Sequence, residues 1–342
     1  MPEIIRVLVV DDSAYVRKVI RQMLSRSPFI DVVGAARDGK EALEMTAALQ
    51  PDVITCDLIM PELDGIGFIR EQMQRRPVSI VVVSIASESG ELVLSALDAG
   101  AVDFVQKPTA LATDRLLEIA DDLIGKVKAA AGARPIAARP ATVATASRNV
   151  ATNSFDVVVI GISTGGPQAL KALIPKLPSE FPVPIAIVLH MPVGYTELYA
   201  RKLDEQSQLT VVEARGGESV QAGHVYIAPA GRHLTLRRNA AGQVTTHLDV
   251  RPIDTPYRPS VDALFHSAAE VYGSRVLGIV MTGMGSDGRE GAAWIKAKGG
   301  TVLTEAEQTC VVYGMPRSIV EAGLSDGAVA LDRMVDTLLE RV

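Results

Sequence analysis

Cysteine and aromatic residues are scarce in this chain of 342 residues. Two cysteines, Cys56 and Cys310, cannot build the disulfide framework of a small secreted domain, and no cysteine–histidine cluster has the spacing of a structural zinc site. Because aromatic residues make up only 4% of the chain, aliphatic side chains must fill its cores. The chain is nevertheless 48% hydrophobic and 22% charged, which is typical of folded domains and excludes global disorder.

Long hydrophobic runs and a basic excess are missing as well. The apolar runs, such as residues 80–83 and 185–189, are far shorter than the roughly 18 residues that a membrane span requires. Residues 1–12 lack the basic start, the longer apolar stretch and the cleavage site of a signal peptide, so we expect a cytoplasmic protein. The net charge of −6 gives no electrostatic reason to bind nucleic acid or anionic lipid, and we expect no nucleic-acid partner and no membrane insertion.

The length of the chain corresponds to about two domains. Residues 125–154 contain ten alanines, two prolines, five basic residues and no acidic residue. Such a segment buries too little apolar area to order itself, so we expect a flexible Ala/Pro-rich basic linker there, between a first domain at 1–124 and a second at 155–342. The alternative for its first residues is an alanine-rich helix that continues through residues 116–131, since only Pro135 and Pro140 firmly break it.

Short aliphatic runs alternate with amphipathic stretches in both predicted domains. The aliphatic runs predict strands at residues 6–10, 53–56, 80–84 and 103–106, and again at 157–160, 185–189, 225–227, 276–281 and 301–304. The amphipathic stretches of the first domain predict helices at residues 14–25, 40–48, 65–75 and 90–99. This alternation is typical of parallel sheets covered by helices, so we predict an α/β protein with two doubly wound, mainly parallel-sheet domains.

Polar residues follow four predicted strands of the first domain. Asp11 and Asp12 follow the strand at 6–10, Asp57 follows the strand at 53–56, Ser84 ends the strand at 80–84 and Lys107 follows the strand at 103–106. In an open α/β sheet these strand ends share one edge, and three converging carboxylates would repel one another unless a hard divalent cation neutralised them. We expect this cation to be Mg²⁺. Taken singly, an aspartate after a strand is commonly a turn or helix cap, and a lysine before proline is often only part of a loop.

The motifs VVDDS, DLIMPELDG, VVVSIAS and FVQKP resemble the receiver domain of two-component response regulators, over roughly residues 3–122. The resemblance implies a flavodoxin-like fold in which Asp57 takes a phosphoryl group from a phosphohistidine on a sensor kinase. It also implies that Asp11 and Asp12, together with Asp57, hold Mg²⁺. The residues that would respond to the phosphoryl group are Ser84 and Phe104, which would switch rotamers, and Lys107, which would contact its oxygens. The residue after Lys107 is a proline, for which we expect a cis peptide bond.

A glycine-rich turn follows the first predicted strand of the second domain. Its sequence GISTG satisfies G-x-S-x-G, the pattern of a strained turn that exposes Ser163 as a nucleophile. The alternative is a turn that holds the phosphate of a nucleotide at a helix N-terminus. The glycines do not fit G-x-G-x-x-G, and the strand near residues 185–189 ends in His190 where a dinucleotide site would have an acidic residue.

His190 and Asp287 favour catalysis over phosphate binding. Each follows an aliphatic predicted strand, so both are expected at the edge of the sheet that carries Ser163. A serine hydroxyl becomes a nucleophile when a neutral imidazole takes its proton, and a buried carboxylate stabilises the imidazolium that forms. The order Ser, His, Asp differs from the order Ser, Asp, His of ordinary α/β-hydrolases. In isolation, His190 would be read as a core histidine and Asp287 as the cap of a helix that begins near Arg289.

The motifs GISTGGP, LHMPVGYT, VYIAPAGRHL, YRPSVDALF, TGMGSDGREGA and VYGMPR resemble the catalytic domain of the chemotaxis response-regulator protein-glutamate methylesterases, over roughly residues 155–342. The resemblance implies a Rossmann-like three-layer hydrolytic domain that removes methyl esters from glutamates of methyl-accepting chemoreceptors and deamidates certain glutamines. It assigns Ser163 as nucleophile, His190 as base and Asp287 as its orienting partner, with no cofactor for ester hydrolysis. The amides of Thr164 and Met284 are candidates for stabilising the oxyanion.

Two other functions compete with this one. A transcriptional response regulator needs a helix-turn-helix with a basic face, whereas residues 155–342 are net acidic. A response regulator with a nucleotide-binding, non-catalytic output domain would use the glycine-rich turn without needing His190. Among the remaining motif residues, His233 could face substrate, whereas Arg258 and Asp262 at i, i+4 are more typical of a surface ion pair. Ile162 stands where the resembled family has a smaller residue.

Overall fold

The structure is a computed structural model that describes residues 4–84, 90–107, 113–133, 155–252 and 255–342. The predicted cis peptide bond after Lys107 and the predicted linker beyond residue 133 lie outside these ranges. The chain divides into two compact units, Met1–Pro140 and Ala141–Val342.

The first unit is built on a five-stranded parallel sheet in the order β2-β1-β3-β4-β5. Its strands are β1 (Ile5–Val10), β2 (Ile30–Ala36), β3 (Val53–Cys56), β4 (Ser79–Ser84) and β5 (Asp103–Gln106). Its helices are α1 (Ala14–Leu24), α2 (Gly39–Leu49), α3 (Gly65–Arg75), α4 (Gly90–Asp98) and α5 (Thr113–Ala131). Strands β3 and β4 are buried along their whole length, as a sheet with helices on both faces requires.

Helix α5 continues into the segment predicted as a linker. Residues 125–131 are helical, so the alternative of an alanine-rich helix describes them and the flexible segment cannot start at residue 125. Val127 and Ala130 on this turn are fully buried, and the Lys126 ammonium donates a hydrogen bond to the Phe104 carbonyl at 2.6 Å. These residues are therefore ordered by packing against β5, although the composition of the segment predicts too little apolar burial for order.

The second unit contains a seven-stranded parallel sheet in the order β14-β13-β12-β6-β7-β9-β8 and an antiparallel hairpin, β10–β11. Its strands are β6 (Val157–Ile162), β7 (Ile185–Leu189), β8 (Thr210–Glu213), β9 (His224–Ile227), β10 (His233–Arg238), β11 (Val244–Asp249), β12 (Val276–Val280), β13 (Thr301–Glu305) and β14 (Ala328–Val329). Its α-helices are α6 (Gly166–Leu173), α7 (Thr196–Asp204), α8 (Val261–Tyr272), α9 (Arg289–Ala297), α10 (Met315–Glu321) and α11 (Leu331–Arg341).

The predicted fold class is confirmed, since both main sheets are parallel and alternate with helices along the chain. The hairpin β10–β11 was not predicted, because its strands carry charged residues and pack by one face on α8. Strand β6 lies between β12 and β7 in the centre of the larger sheet. The segments that follow these three neighbouring strands therefore meet at one edge.

Candidate active site and phosphoacceptor pocket

Ser163 follows β6 directly, at the carboxyl edge of the larger sheet. Its amide donates to the Thr282 carbonyl at 2.9 Å, and the amide of His190, after the neighbouring strand β7, donates to the Ile162 carbonyl at 3.1 Å. The backbone thus brings the serine and the histidine to the same level of adjacent strands. Ser163 itself is partly exposed, whereas Ile162 is fully buried in β6, so the larger residue there packs in the core and does not shape the turn.

The turn differs from a strained nucleophile elbow in one respect. The residue with a left-handed backbone is Gly165, at φ 78°, and Ser163 has no positive φ. Helix α6 begins at the next residue, so its positive N-terminal end lies beside the serine. The turn presents the hydroxyl without backbone strain at the serine.

His190 and Asp287 are hydrogen-bonded, with 2.9 Å between Nε2 and Oδ2. Because a carboxylate oxygen only accepts, the Nε2 atom carries the proton and Nδ1 is left as the acceptor nitrogen. Nδ1 is buried and has no hydrogen-bond partner within the described chain. An imidazole with one nitrogen oriented by a carboxylate and the other free to take a proton is the arrangement of a general base.

Asp287 also accepts three hydrogen bonds from the start of α8. The Ser260 hydroxyl donates to Oδ1 at 2.9 Å, the Val261 amide to Oδ2 at 2.8 Å and the Asp262 amide to Oδ1 at 3.1 Å. Burial acts to raise the pKa of Asp287, but the hydrogen bond from His190 and these amides outweigh it and hold the pKa below its usual value. The aspartate is therefore a buried anion, and it caps α8 rather than the helix near Arg289 that the sequence suggested.

Tyr257 covers one face of the His190 imidazole. Its ring is stacked on His190 with the centroids 4.5 Å apart and the planes at 10°. A Cβ on Gly285, whose φ is 88°, would lie 2.9 Å from the Tyr257 hydroxyl oxygen. The tyrosine thus fills the space between the histidine and the glycine loop, and an imidazolium at His190 would gain from its π face.

The two candidate oxyanion residues lie on two segments that adjoin the serine. Thr164 is buried directly after it, and the Thr282 hydroxyl donates to its carbonyl at 2.9 Å. Met284 is 41% exposed and lies next to Gly283, where a Cβ would be only 2.7 Å from the Ser163 Cβ. The backbone at Gly283 therefore packs closely against Ser163 and leaves no room for a side chain between them.

The three predicted metal ligands of the first unit come together at the carboxyl edge of its sheet. One carboxylate oxygen from each of Asp11, Asp12 and Asp57 lies within 4.8 Å of the others. Asp11 and Asp57 are buried, whereas Asp12 is exposed. This set of oxygen ligands, with one side open to water, fits a hard divalent cation such as Mg²⁺.

Lys107 completes this pocket. Its ammonium lies 2.7 Å from Oδ2 of Asp11 and 2.7 Å from Oδ2 of Asp57. Burial acts to lower the pKa of Lys107, but these two contacts outweigh it and the pKa is raised. Burial also raises the pKa of Asp11, against the opposing effect of Lys107. Three carboxylates against one ammonium leave the pocket with a net negative charge, which favours the binding of a divalent cation.

The two predicted switch residues lie on neighbouring strands. Ser84 ends β4 and its carbonyl accepts the Lys107 amide at 2.7 Å, while Phe104 lies buried in β5. The Lys126 ammonium lies 5.5 Å from the Phe104 ring centroid. In this conformation the Phe104 ring is buried in the first unit and lies under Lys126 of α5.

Comparisons with known proteins identify the family of each unit. Residues 7–121 match the family described as response regulator receiver domain, and residues 158–338 match the family described as CheB methylesterase. The chain belongs to the CheB methylesterase family. The predicted resemblance to both families is confirmed.

Curated CheB methylesterases match along the whole chain. The protein-glutamate methylesterase/protein-glutamine glutaminase 5 of Myxococcus xanthus is 50% identical, covering 99% of this chain and 98% of that protein. The protein of the same description from Thermotoga maritima is 42% identical over 99% of both chains. The crystal structure of the Thermotoga maritima CheB methylesterase catalytic domain, 46% identical, aligns with a TM-score of 0.54 over 55% of this chain and 99% of that one.

A nucleotide-binding output domain finds no support in this family or in the glycine-rich turn. A Cβ on Gly165 would lie 2.5 Å from a Val311 methyl group, and one on Gly166 would lie 2.6 Å from a Leu189 methyl group. These glycines are required by packing against apolar side chains, which explains the glycine pattern without a phosphate. None of the helices within the described residues has both the length and the apolar character needed to cross a membrane.

Sequence reasoning missed part of the CheB methylesterase site. His233 does not face substrate, because it is fully buried beneath the start of α8. Asp262 is not half of a surface ion pair but accepts the Gly291 amide at 2.7 Å, at the start of α9. Ser260 and Tyr257 were not singled out at all, although both lie in the motif YRPSVDALF. The sequence held one signal for these two residues. The motif runs into an amphipathic stretch, which indicates that a helix begins within the motif and that its first residues could lie near the site.

Proposed function

We propose that this chain hydrolyses glutamate methyl esters of methyl-accepting chemoreceptors and deamidates certain of their glutamines, with Ser163 as nucleophile. The observation that carries the proposal is the partly buried hydrogen bond between His190 and Asp287, beside a serine that follows the neighbouring strand. Family membership supplies the reaction class, since the curated relatives are described as methylesterases and glutaminases.

The reaction begins with proton transfer from Ser163 Oγ to His190 Nδ1 as Oγ bonds to the ester carbonyl carbon. The tetrahedral intermediate then expels its methoxy group, which takes that proton from His190 and leaves as methanol. A water molecule next gives a proton to His190 and adds to the acyl carbon, and the serine leaves with the proton as the glutamate forms. With a glutamine, ammonia leaves in place of methanol. Asp287 orients the imidazole throughout and stabilises its cationic form.

The amides of Thr164 and Met284 are the groups that we assign to the oxyanion. They flank the nucleophile on two separate segments, and the N-terminus of α6 adds a favourable field at the same point. Exposed apolar side chains stand nearby, with Met284 at 41% exposure and Val193 at 69% on the loop after His190. An open nucleophile beside apolar contacts suits a side chain presented on the surface of a protein.

The receiver unit is proposed to regulate this activity. Asp57 would accept a phosphoryl group from a chemotaxis histidine kinase, with Asp11, Asp12 and Asp57 as the ligands of Mg²⁺. The ion would neutralise charge on the transferred group. Lys107 would then contact the phosphoryl oxygens, and Ser84 and Phe104 would change rotamer.

We divide the chain accordingly into a receiver at 1–124 and a catalytic domain at 155–342, joined through the basic segment that begins at 125 and includes the end of α5. Because a kinase of this kind uses ATP, we infer a cytoplasmic location. Hydrolysis at Ser163 needs no metal ion in this scheme, since the base and the oxyanion donors are protein groups.

Methanol release from methylated receptor membranes tests the whole proposal. The full chain should release methanol, and acetyl phosphate with Mg²⁺ should accelerate it. Ser163→Ala should lose turnover and keep phosphorylation, whereas Asp57→Asn should keep basal turnover and lose the acceleration. Full activity of Ser163→Ala would reject the nucleophile, and acceleration of Asp57→Asn would reject the phosphoacceptor.

A further inference from the structure

The start of α8 is held in place by a residue of the hairpin β10–β11. His233 is fully buried on β10, and its Nδ1 atom accepts the Ser260 amide at 3.1 Å. Its Nε2 atom lies 3.1 Å from the Pro252 carbonyl oxygen. A carbonyl only accepts, so Nε2 carries the proton and Nδ1 is the acceptor that the Ser260 amide requires. Burial lowers the pKa of His233, which keeps this neutral form populated.

Ser260 occupies the N-cap position of α8 but does not cap its own helix. Its side chain accepts no hydrogen bond from the helix, and its hydroxyl donates to Asp287 Oδ1 instead. The amides of Val261 and Asp262, which an N-cap side chain would ordinarily serve, donate to the same carboxylate. Three of the four donors to Asp287 therefore move together with Ser260.

We propose that His233 is a positioning residue which, by accepting the Ser260 amide, fixes the start of α8 and thereby the Asp287 carboxylate that orients His190. This inference rests on the proposed role of Asp287. It gives the hairpin a function in the reaction, because the hairpin holds the helix that holds the aspartate. An aspartate displaced by a fraction of an ångström would leave the imidazole misoriented for proton transfer.

The same hairpin holds α8 at a second point, which provides a matched control. The Leu236 amide of β10 donates to the Ser267 hydroxyl at 3.0 Å. Ser267 is seven residues beyond Ser260, about 10 Å along the helix at 1.5 Å per residue. Ser267→Ala thus removes a hydrogen bond between the same two elements, far from Asp287.

Three variants of the full-length chain make the comparison by methanol release. His233→Leu removes the acceptor, and kcat should fall by about 10-fold or more with KM changed by less than about 2-fold. His233→Asn places its amide oxygen near the position of Nδ1 and should restore most of kcat. Ser267→Ala should lower the denaturation midpoint yet keep kcat within about 2-fold of the parent.

The proton between His190 and Asp287 gives a second readout that general destabilisation does not move. Its downfield NMR resonance should shift or broaden in His233→Leu and remain in place in Ser267→Ala. If His233→Leu does not fold, His233→Gln replaces it. The longer glutamine side chain puts its amide near the position of Nε2, keeping the contact with Pro252 while leaving Ser260 without an acceptor.

The inference is wrong if the acceptor-free variant, folded, has the kcat and the downfield resonance of Ser267→Ala. Asp287→Ala separates this failure from failure of the proposed function. Loss of turnover in Asp287→Ala with full turnover in His233→Leu would reject only the role of His233. Full turnover in Asp287→Ala would reject the triad and the inference with it.

Discussion

His190 Nε2 lies 2.9 Å from Asp287 Oδ2, although 97 residues separate the two in the chain. The contact forms because His190 follows β7 and Asp287 lies in the segment after β12, and β6 alone stands between these strands. The carboxylate is simultaneously the cap of α8. Chemistry and helix stability are thus joined in one side chain, and both can be measured.

Asp287→Asn should damage activity and stability together. An amide has one acceptor oxygen and would direct its NH₂ at donor groups, so at least one buried amide or hydroxyl loses its partner. We expect kcat to fall by about 10²- to 10⁴-fold and the free energy of unfolding to fall by about 2 kcal/mol. Kinetics and urea titration measure both. Asp332→Asn, in the exposed first turn of α11, is the control. If the free energy of unfolding were the same for Asp287→Asn as for Asp332→Asn, the capping role of Asp287 would be contradicted.

Ionisation of Asp262 should make the protein less stable above pH 6 than at pH 4. Burial and the charge of Asp287 raise the pKa of Asp262 from 3.8 to about 6, in spite of the Gly291 amide. Because the folded state holds this proton more tightly than the unfolded chain, the contribution of Asp262 to unfolding free energy falls as pH rises from about 4 to 6.

Asp262→Asn mimics the protonated acid and keeps an acceptor for Gly291. It should match the parent at pH 4.5 and exceed it by about 1 kcal/mol at pH 7.5, a value reduced for partial solvent screening. Urea titrations at the two pH values measure the difference. A variant that is equally stable or less stable than the parent at pH 7.5 would show that the carboxylate is not under strain.

Gly283→Ala should impair catalysis by steric displacement. The added methyl group would clash with Met315 Sδ and would lie 2.7 Å from the Ser163 Cβ, closer than real Cβ contacts, so Met315 and either the serine or the loop of Gly283 and Met284 must move. We expect kcat to fall by about 10- to 100-fold, since a displacement of 1 Å has effects of this size. Gly327→Ala is the control, because its methyl group would meet only Leu303 at 3.6 Å. Equal kcat for the two variants would place the loop farther from the nucleophile.

Lys107→Met should strengthen Mg²⁺ binding. The lysine ammonium lies 2.7 Å from both Asp11 and Asp57 and repels a cation held by the same carboxylates. Removing it should lower the Kd for Mg²⁺ by about 5- to 10-fold in calorimetric titration of the full chain. Lys126→Met removes a lysine that pairs with Asp103 and Asp122 instead and should leave the Kd unchanged. Weaker binding by Lys107→Met would overturn the expected competition.

Local pattern was sufficient for the central strands and for the residues that end them. Val53–Cys56 and Asp103–Gln106 were predicted at their observed bounds, because buried parallel strands are continuous apolar runs between polar turns. Ser163, His190 and Asp287 were placed at one edge of the sheet because each follows such a strand. This pattern predicts where the strands end, but it does not predict which side chains contact one another.

The contacts around Asp287 could not be predicted in this way. They depend on the hairpin β10–β11 and the start of α8, which pack through tertiary contacts that leave no local periodicity. His233 is instructive, because a histidine after a turn suggests exposure, whereas the structure buries it completely. Only the path of the chain between β9 and α8 decides that its ring contacts Ser260.

The capping of α8 by Asp287, which also contacts His190, has a practical consequence for capturing complexes with receptor fragments. An inactive variant that still binds substrate must lose turnover without losing the fold around the site. Ser163→Ala removes only a hydroxyl, which caps no helix, whereas any substitution of Asp287 would also remove the cap of α8. The alanine protein is therefore the form to immobilise or co-crystallise.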